Sequence, residues 1–299
     1  MLKQLIETVL VESGIPRLAR ARLGGQALVL AYHNVVPERE TARGDLSLHL
    51  PRRAFAAQLD TLLRTHDVVS LEEAVRSDPH ARRPRIAITF DDAYRGAVLC
   101  GVEELSRRGL PATIFVAPAF TGGGTFWWDA LAGEHGLDES LRAEALGTLQ
   151  GKDHLVRARA AERGLMEHPL PWYQTAADES ELADAIRVPG IRLGSHTWSH
   201  PNLAALGNAE LHEELRRPLV WLQQRFPGAL PWLTYPYGLS SAAVERAAAE
   251  EGYKGALRVA GGWMNPAGTP APFALPRYNV PAGLSTRGFT LRTAGLLAG

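Results

Sequence analysis

Short apolar runs recur at 27–32, 85–90, 112–116 and 191–195, each bounded by turn-forming or charged residues. Runs of this length rich in Ile, Val, Leu and Phe predict buried strands. Between them the apolar positions switch to helical spacing. In 53–66, Phe55, Leu59, Leu62 and Leu63 share one face, and Ser70-Leu71-Glu72-Glu73 opens the next helix with a capping box in which Ser70 and Glu73 satisfy each other's free amides. A further helix follows Asp91-Asp92, runs to about Arg108 and stops at Gly109, which suits a left-handed C-terminal cap. After 191–195 come a helical region from Asn208 that is interrupted or restarted at Pro218, the segment 232–237, and a helix 241–251 capped by Gly252. Segments 255–259 and 273–280 are the last strand candidates. Strands alternating with helices predict a parallel sheet or barrel with helices outside, and no internal repeat is visible.

The rhythm breaks between 122 and 190, where Gly122-Gly123-Gly124 leads into Phe126-Trp127-Trp128-Asp129 and then helical stretches at 139–149 and 154–167. This segment reads as an insertion, and its glycines lack the Lys-Ser/Thr ending of a phosphate loop. At the other end, Leu2, Leu5, Ile6, Val9 and Leu10 predict an amphipathic helix over 2–19, with a break expected near Gly14-Ile15-Pro16. Glu7 and Glu12 interrupt its apolar run, so it reads neither as a signal peptide nor as a spanning helix, and a cytoplasmic location is expected. Packing on the domain is the expectation for this helix; Arg17, Arg20 and Arg22 leave open a peripheral membrane contact. The organisation is therefore an N-terminal segment 1–23 and one domain 24–299 carrying the insertion 122–190.

Composition narrows the classes. The 299 residues contain 32 Lys+Arg and 32 Asp+Glu, so no net field would draw the chain onto nucleic acid, and no nucleic-acid partner is expected. The oligomeric state stays open. A single cysteine, Cys100, excludes an intramolecular disulfide or a thiolate cluster and reads as a small packing residue.

Four polar clusters follow directly on predicted strands: His33, Asp91-Asp92, His196 with His200, and Tyr235-Pro236-Tyr237. In parallel α/β folds the loops at the C-terminal strand ends converge on one opening, where ligands bind. Two imidazoles four residues apart can reach one divalent ion, which then needs a carboxylate and open positions for water. Asp91-Asp92 can supply it, one Asp binding the ion while the other stays free to take a proton. His49, His80, His135, His154, His168 and His212 belong to no motif and read as solvated or structural.

Ile88-Thr89-Phe90-Asp91-Asp92 resembles the T-F-D-D motif, and Ser195-His196-Thr197-Trp198-Ser199-His200 the H-[ST]-x-x-H motif, of the polysaccharide deacetylases with NodB homology. Leu233-Thr234-Tyr235-Pro236-Tyr237-Gly238 is similar to their third motif. The resemblance implies an α/β fold, a deformed (β/α)7-type barrel with an inserted helical segment, and a metal-dependent hydrolase that removes N-acetyl groups from an N-acetylated carbohydrate. It implies that Asp91 is the general base, that Asp92, His196 and His200 bind one divalent ion, and that the Tyr237 amide helps hold the oxyanion. Tyr235 and Trp232 are expected to wall the substrate groove. Zinc is the expected metal, with cobalt, nickel or iron able to use the same ligands. Trp127 and Trp128 either stack on sugar faces or pack the insertion.

Three departures qualify the match. Ala93 stands where the family commonly has Gly. Thr234 stands where the third motif commonly has an Arg that pairs with the catalytic Asp. The family's late L-x-H is absent, the last histidine being His212. Leu30-Ala31-Tyr32-His33 and Leu275-Pro276-Arg277 resemble instead the branch containing the circularly permuted poly-N-acetylglucosamine deacetylases. That branch implies His33 as general acid, and Arg277 is expected to take over the hold on Asp91. A neighbouring carboxylate is expected to raise the pKa of His33. An inactive carbohydrate-binding protein, and a deacetylase of O-acetyl esters or of another amide, remain as alternatives.

Overall fold

In the computed structural model residues 2–78, 80–132, 136–268 and 272–297 are described; His135 lies outside them. The apolar runs form the expected strands. They are β1 (Ala27–Tyr32), β5 (Arg85–Phe90), β6 (Ala112–Val116) and β7 (Ile191–Ser195), and only Arg192 of these four strands is exposed. Short strands complete the set: β2 (Asn34–Val36), β3 (His49–Pro51), β4 (Asp67–Val69), β8 (Trp232–Thr234), β9 (Gly255–Leu257) and β10 (Tyr278–Asn279). The main sheet has the order β10-β1-β5-β6-β7-β8-β9, with β4 beside the first half of β5, and its strand pairs are all parallel. Strands β2 and β3 pair separately. Strands buried on both faces and covered by helices are the expected outcome for an all-parallel sheet.

The sheet curls until its edges meet. Leu275 bridges Leu257 of β9, while β10 pairs with β1 through Leu30↔Tyr278. One segment thus joins both edges, giving the deformed (β/α) barrel. The uninterrupted strand expected over 273–280 is split, because Pro276 has no amide to give a ladder. β8 stops at Thr234, so Tyr235-Pro236-Tyr237 follows directly on a strand as expected, with Pro236 opening a 3-10 turn (Pro236–Gly238).

Helices lie outside the sheet, among them Arg52–Thr65, whose Phe55, Leu59 and Leu62 are buried. Between β6 and β7 the connection carries the helices Trp127–Ala130, Glu139–Leu146, Asp153–Glu162 and Glu179–Ala185. Asn208–Arg225 is one continuous helix that neither stops nor restarts at Pro218. At the N-terminus the chain breaks at Gly14 (φ +78°) into helices Leu2–Glu12 and Ile15–Ala21. The first is fixed to the domain by buried Glu7, which accepts from Ser285 Oγ at 2.6 Å. Leu5, Ile6 and Val9 remain exposed. Among the described residues no helix is long and apolar enough to cross a membrane.

Candidate active site

With the strands of the main sheet parallel, the residues that follow β1, β5, β7 and β8 gather at one end of the barrel. They line a cavity of about 290 Å³ that contains His33, Asp91, Asp92, His196, His200 and Tyr237. Backbone strain concentrates there. Asp92, Ala93, Thr197, His200 and Tyr237 all have positive φ, between +50° and +69°. Each such residue costs about 1–2 kcal/mol, and a cluster of them marks a site whose side chains are aimed against local preference. Ala93, which replaces the common Gly, adopts that conformation at φ +50°.

Asp92 Oδ1 lies 3.5 Å from His196 Nε2 and 3.5 Å from His200 Nε2. These separations are too long for hydrogen bonds. The three side chains are buried, and Asp92 Oδ1 has no hydrogen-bond partner among the described residues. Burial, with the charges of Asp91 and Asp129 added, pushes the Asp92 carboxyl well above the usual carboxylate range, while burial holds His196 below the usual imidazole value and His200 well below it. A buried oxygen without a partner, facing two imidazoles whose lone pairs are free, fits one divalent ion: the charge would compensate Asp92 and complete an Asp-His-His donor set.

Each ligand candidate is oriented differently. His196 Nδ1 sits 2.9 Å from the Thr234 carbonyl and 2.6 Å from Thr234 Oγ1. With Nε2 as the donor atom toward an ion, Nδ1 carries the proton and both oxygens accept it. The loop 197–200 is clamped by Glu214, which accepts from Trp198 N (2.9 Å), Ser199 N (2.8 Å) and Ser199 Oγ (2.6 Å). Pro218 explains part of this arrangement. Lacking an amide, it leaves the carbonyl four residues back, that of Glu214, without its helical partner, and Trp198 N bonds that oxygen at 3.1 Å.

Asp91 is held by Arg277, whose two terminal nitrogens donate to Oδ1 at 2.8 Å and Oδ2 at 2.7 Å. Both residues are buried, and the same guanidinium reaches Thr89 Oγ1 at 3.2 Å. Burial alone would lift the Asp91 carboxyl, but Arg277, helped by His196 and His33, outweighs it and holds Asp91 well below the usual carboxylate range. Arg277 immediately precedes β10, whose Tyr278 is in register with Leu30 and so with Ile88 of β5, and its long side chain spans the rest of that strand to the carboxylate that follows it. Thr234, at the position where an Arg is common, serves His196 instead.

His33 is half-buried beside Asp91. Burial dominates and lowers its pKa to about 4; Asp91 does raise it, but cannot overcome desolvation assisted by Arg277, His196 and His49. The expected upward shift is therefore reversed. Tyr237 sits in the left-handed region at φ +58°, in a turn where Gly238 N bonds Tyr235 O and Leu239 N bonds Pro236 O. Its ring packs on Gly151, where a Cβ would come within 2.7 Å of it. Tyr235 is buried, and its hydroxyl donates to Phe273 O at 2.9 Å.

Trp232 does not join the site. It begins β8, two residues short of the strand's C-terminal end, and is buried in an apolar cluster with Phe115, Leu257 and Leu275. Its ring lies against Gly255, where a Cβ would meet it at 2.6 Å. Trp127 and Trp128 are buried walls of the cavity. Of the histidines outside the motifs, His49 is buried, His212 is half-buried against Glu251, and His80, His154 and His168 are exposed. Cys100 is a buried packing residue.

Residues 78–256 match the sequence model of the family described as polysaccharide deacetylase. Several solved structures share the fold. A deacetylase of Streptococcus pyogenes, PplD, in complex with acetate, is 17% identical with a TM-score of 0.63, over 90% of this chain and 98% of that one. IcaB from Ammonifex degensii is 17% identical with a TM-score of 0.62, over 91% and 97%. A de-N-acetylase from Aggregatibacter actinomycetemcomitans is 13% identical with a TM-score of 0.60, over 91% and 100%.

Proposed function

Because this chain belongs to the polysaccharide deacetylase family, we propose that it is a metal-dependent hydrolase that removes N-acetyl groups from an N-acetylated sugar. The observation that carries the reading is one buried carboxylate, Asp91, kept ionised by Arg277 next to a second, Asp92, that faces two imidazoles. Two carboxylates in one cavity are thereby driven to opposite tasks.

Asp92, His196 and His200 would hold the ion, which when bound supplies Lewis acidity, acidifying water and polarising the acyl oxygen. Zinc suits this donor set; cobalt, nickel and iron are the other candidates. Asp91 takes the proton of the attacking water as its oxygen bonds the acyl carbon. The Tyr237 amide donates to the oxygen on which charge develops. As the carbon–nitrogen bond breaks, His33 passes a proton to the departing amine. With its pKa at about 4, His33 is neutral at pH 7, so the proton it delivers is the one Asp91 has taken from the water, relayed through the imidazole as the amine departs. The products are acetate and a free amino sugar.

The test is release of acetate and free amine from N-acetylated mono-, oligo- and polysaccharides, alongside O-acetylated sugars, with and without a chelator. Acetate matched by free amine, and lost with chelator, is expected. Acetate release from esters alone would replace the substrate class, and binding without release from any of them would make the protein a carbohydrate-binding member of the fold.

A further inference from the structure

The two imidazoles of the Asp-His-His group are secured by different means. His196 has its Nδ1 gripped by Thr234. His200 Nδ1 has no hydrogen-bond partner among the described residues, although the ring is buried. A histidine that binds metal is ordinarily oriented through its second nitrogen, and His200 lacks that hold. Its ring is instead enclosed by aromatic faces, Tyr237 at 4.7 Å and Trp128 at 4.9 Å between centroids.

Those two walls are themselves fixed by polar atoms. Trp127 Nε1 donates to Tyr237 Oη at 3.2 Å, and Trp128 Nε1 donates to Tyr94 Oη at 3.0 Å. Adjacent indoles of the insertion thus each tie a tyrosine hydroxyl. Phe126 stacks on the Trp128 ring at 4.8 Å with an interplanar angle of 15°. Tyr94 Oη in turn donates to Asp129 Oδ2 at 2.6 Å. Asp129 is fully buried and held on its other oxygen by His49 Nε2 at 3.0 Å and Asp45 N at 3.0 Å. The backbone comes this close because Gly44, at φ +79°, has no Cβ; one there would lie 2.4 Å from Asp129 Oδ1. Asp129, Tyr94 and Trp128 form a chain in which every polar atom named has a partner, and it ends on the imidazole whose Nδ1 has none among the described residues.

We propose that Tyr94 and Asp129 are positioning residues for His200: by fixing the Trp128 indole they set the orientation of a metal-binding imidazole that has no hydrogen bond of its own. The inference rests on the metal-dependent reading above. It gives the first helix of the insertion (Trp127–Ala130) a task distinct from covering the groove.

The test is Tyr94→Phe, which removes one oxygen and keeps the ring, paired with Asp129→Asn, which keeps an acceptor for His49 and Asp45 N but offers Tyr94 a donor. Zinc affinity of each metal-free protein is measured by competition with a chromophoric chelator, and near-UV circular dichroism reports the indole environment. Loss of a hydrogen-bonded outer partner of a metal-binding histidine ordinarily weakens affinity by about 10–100-fold, and Tyr94 acts one side chain further out, which sets the expected loss at about tenfold. That loss is expected in Tyr94→Phe, with a changed indole signal and, on an active substrate, a lower kcat at little-changed KM. Asp129→Asn should move the same readouts in the same direction. Zinc affinity within about twofold of wild type in both variants, whatever their melting temperatures, overturns the proposal; if Tyr94→Phe does not fold, Asp129→Asn decides alone. Wild-type protein that binds zinc but releases no acetate would defeat the catalytic reading while leaving this affinity test intact.

Discussion

Replacing Arg277 with Ala exposes how much of Asp91's chemistry is borrowed. Two charges about 4 Å apart interact by about 4 kcal/mol at an effective dielectric constant near 20, which is about three pKa units. Both partners are buried and joined by two hydrogen bonds, so little of that interaction is lost to solvent. Without Arg277, burial would lift the Asp91 carboxyl with only His196 and His33 opposing it. Asp91 starts well below the usual carboxylate range, so a rise of about three units returns it only to that range: an acid limb of kcat/KM should enter below about pH 5, while at about pH 6 Asp91 stays ionised and a fall in turnover reports the lost two-pronged hold. Stability should drop as well, by about 3–5 kcal/mol, because a buried carboxylate loses its partner. Arg277→Lys should recover part of the rate, since it restores the charge without the two-pronged hold. The assay is acetate release across pH 4–9 on folded, metal-loaded protein, with urea unfolding run in parallel. An Arg277→Ala enzyme with the wild-type acid limb and rate would refute the reasoning, since Asp91 would then need no cation to stay charged.

Other outcomes follow from the same geometry. Thr234→Val keeps the backbone acceptor for His196 Nδ1 and removes only the hydroxyl, so zinc affinity should fall by about fivefold, the worth of one hydrogen bond of about 1 kcal/mol; an unchanged affinity would deny the hydroxyl any part. His33→Ala should lower kcat by about 10²–10⁴ with metal binding nearly intact, whereas metal loss would move His33 into the ligand set. His66, buried with Nε2 donating to Thr293 O at 2.7 Å, has its pKa lowered to about 4, chiefly by burial. The unfolded chain therefore takes the proton first as pH falls below 6.5, and stability present at neutral pH is lost toward pH 4. The loss between pH 7 and pH 5 should be about 2 kcal/mol smaller in His66→Gln than in wild type, as read from urea midpoints of metal-free protein, and equal losses would contradict the assignment.

The parts of the site legible in sequence were those written locally. Asp91-Asp92 and His196 with His200 each follow a buried strand directly, so a parallel sheet brings them to one opening without further information. Arg277 and Asp91 are 186 residues apart, and nothing in the residues between them signals the pairing; the resemblance to one branch of the family did. Trp232 misled because it stands near a motif, yet the strand ends at Thr234 and leaves the indole in the core. Two supports had signals that were visible and unread. Glu214 occupies the apolar face of its helix, between Leu211 and Leu215, where a charge demands a partner. Pro218 read as a break because proline removes a helical hydrogen bond; in the fold the freed carbonyl is used to clamp the histidine loop. Thr234 and the Tyr94–Asp129 pair carried no such signal, since a buried hydroxyl or carboxylate declares its partner only in three dimensions.

The central claim, that one ion held by Asp92, His196 and His200 works beside an ionised Asp91 to release acetate, is tested most directly by titrating zinc into metal-free protein while following acetate release from an N-acetylated oligosaccharide. Activity should rise in proportion to bound zinc and level off at about one equivalent, while Asp91→Asn binds the same amount and stays at least about 10²-fold less active. Acetate release that is complete before zinc is added, or an Asp91→Asn protein that turns over like wild type, would contradict the account.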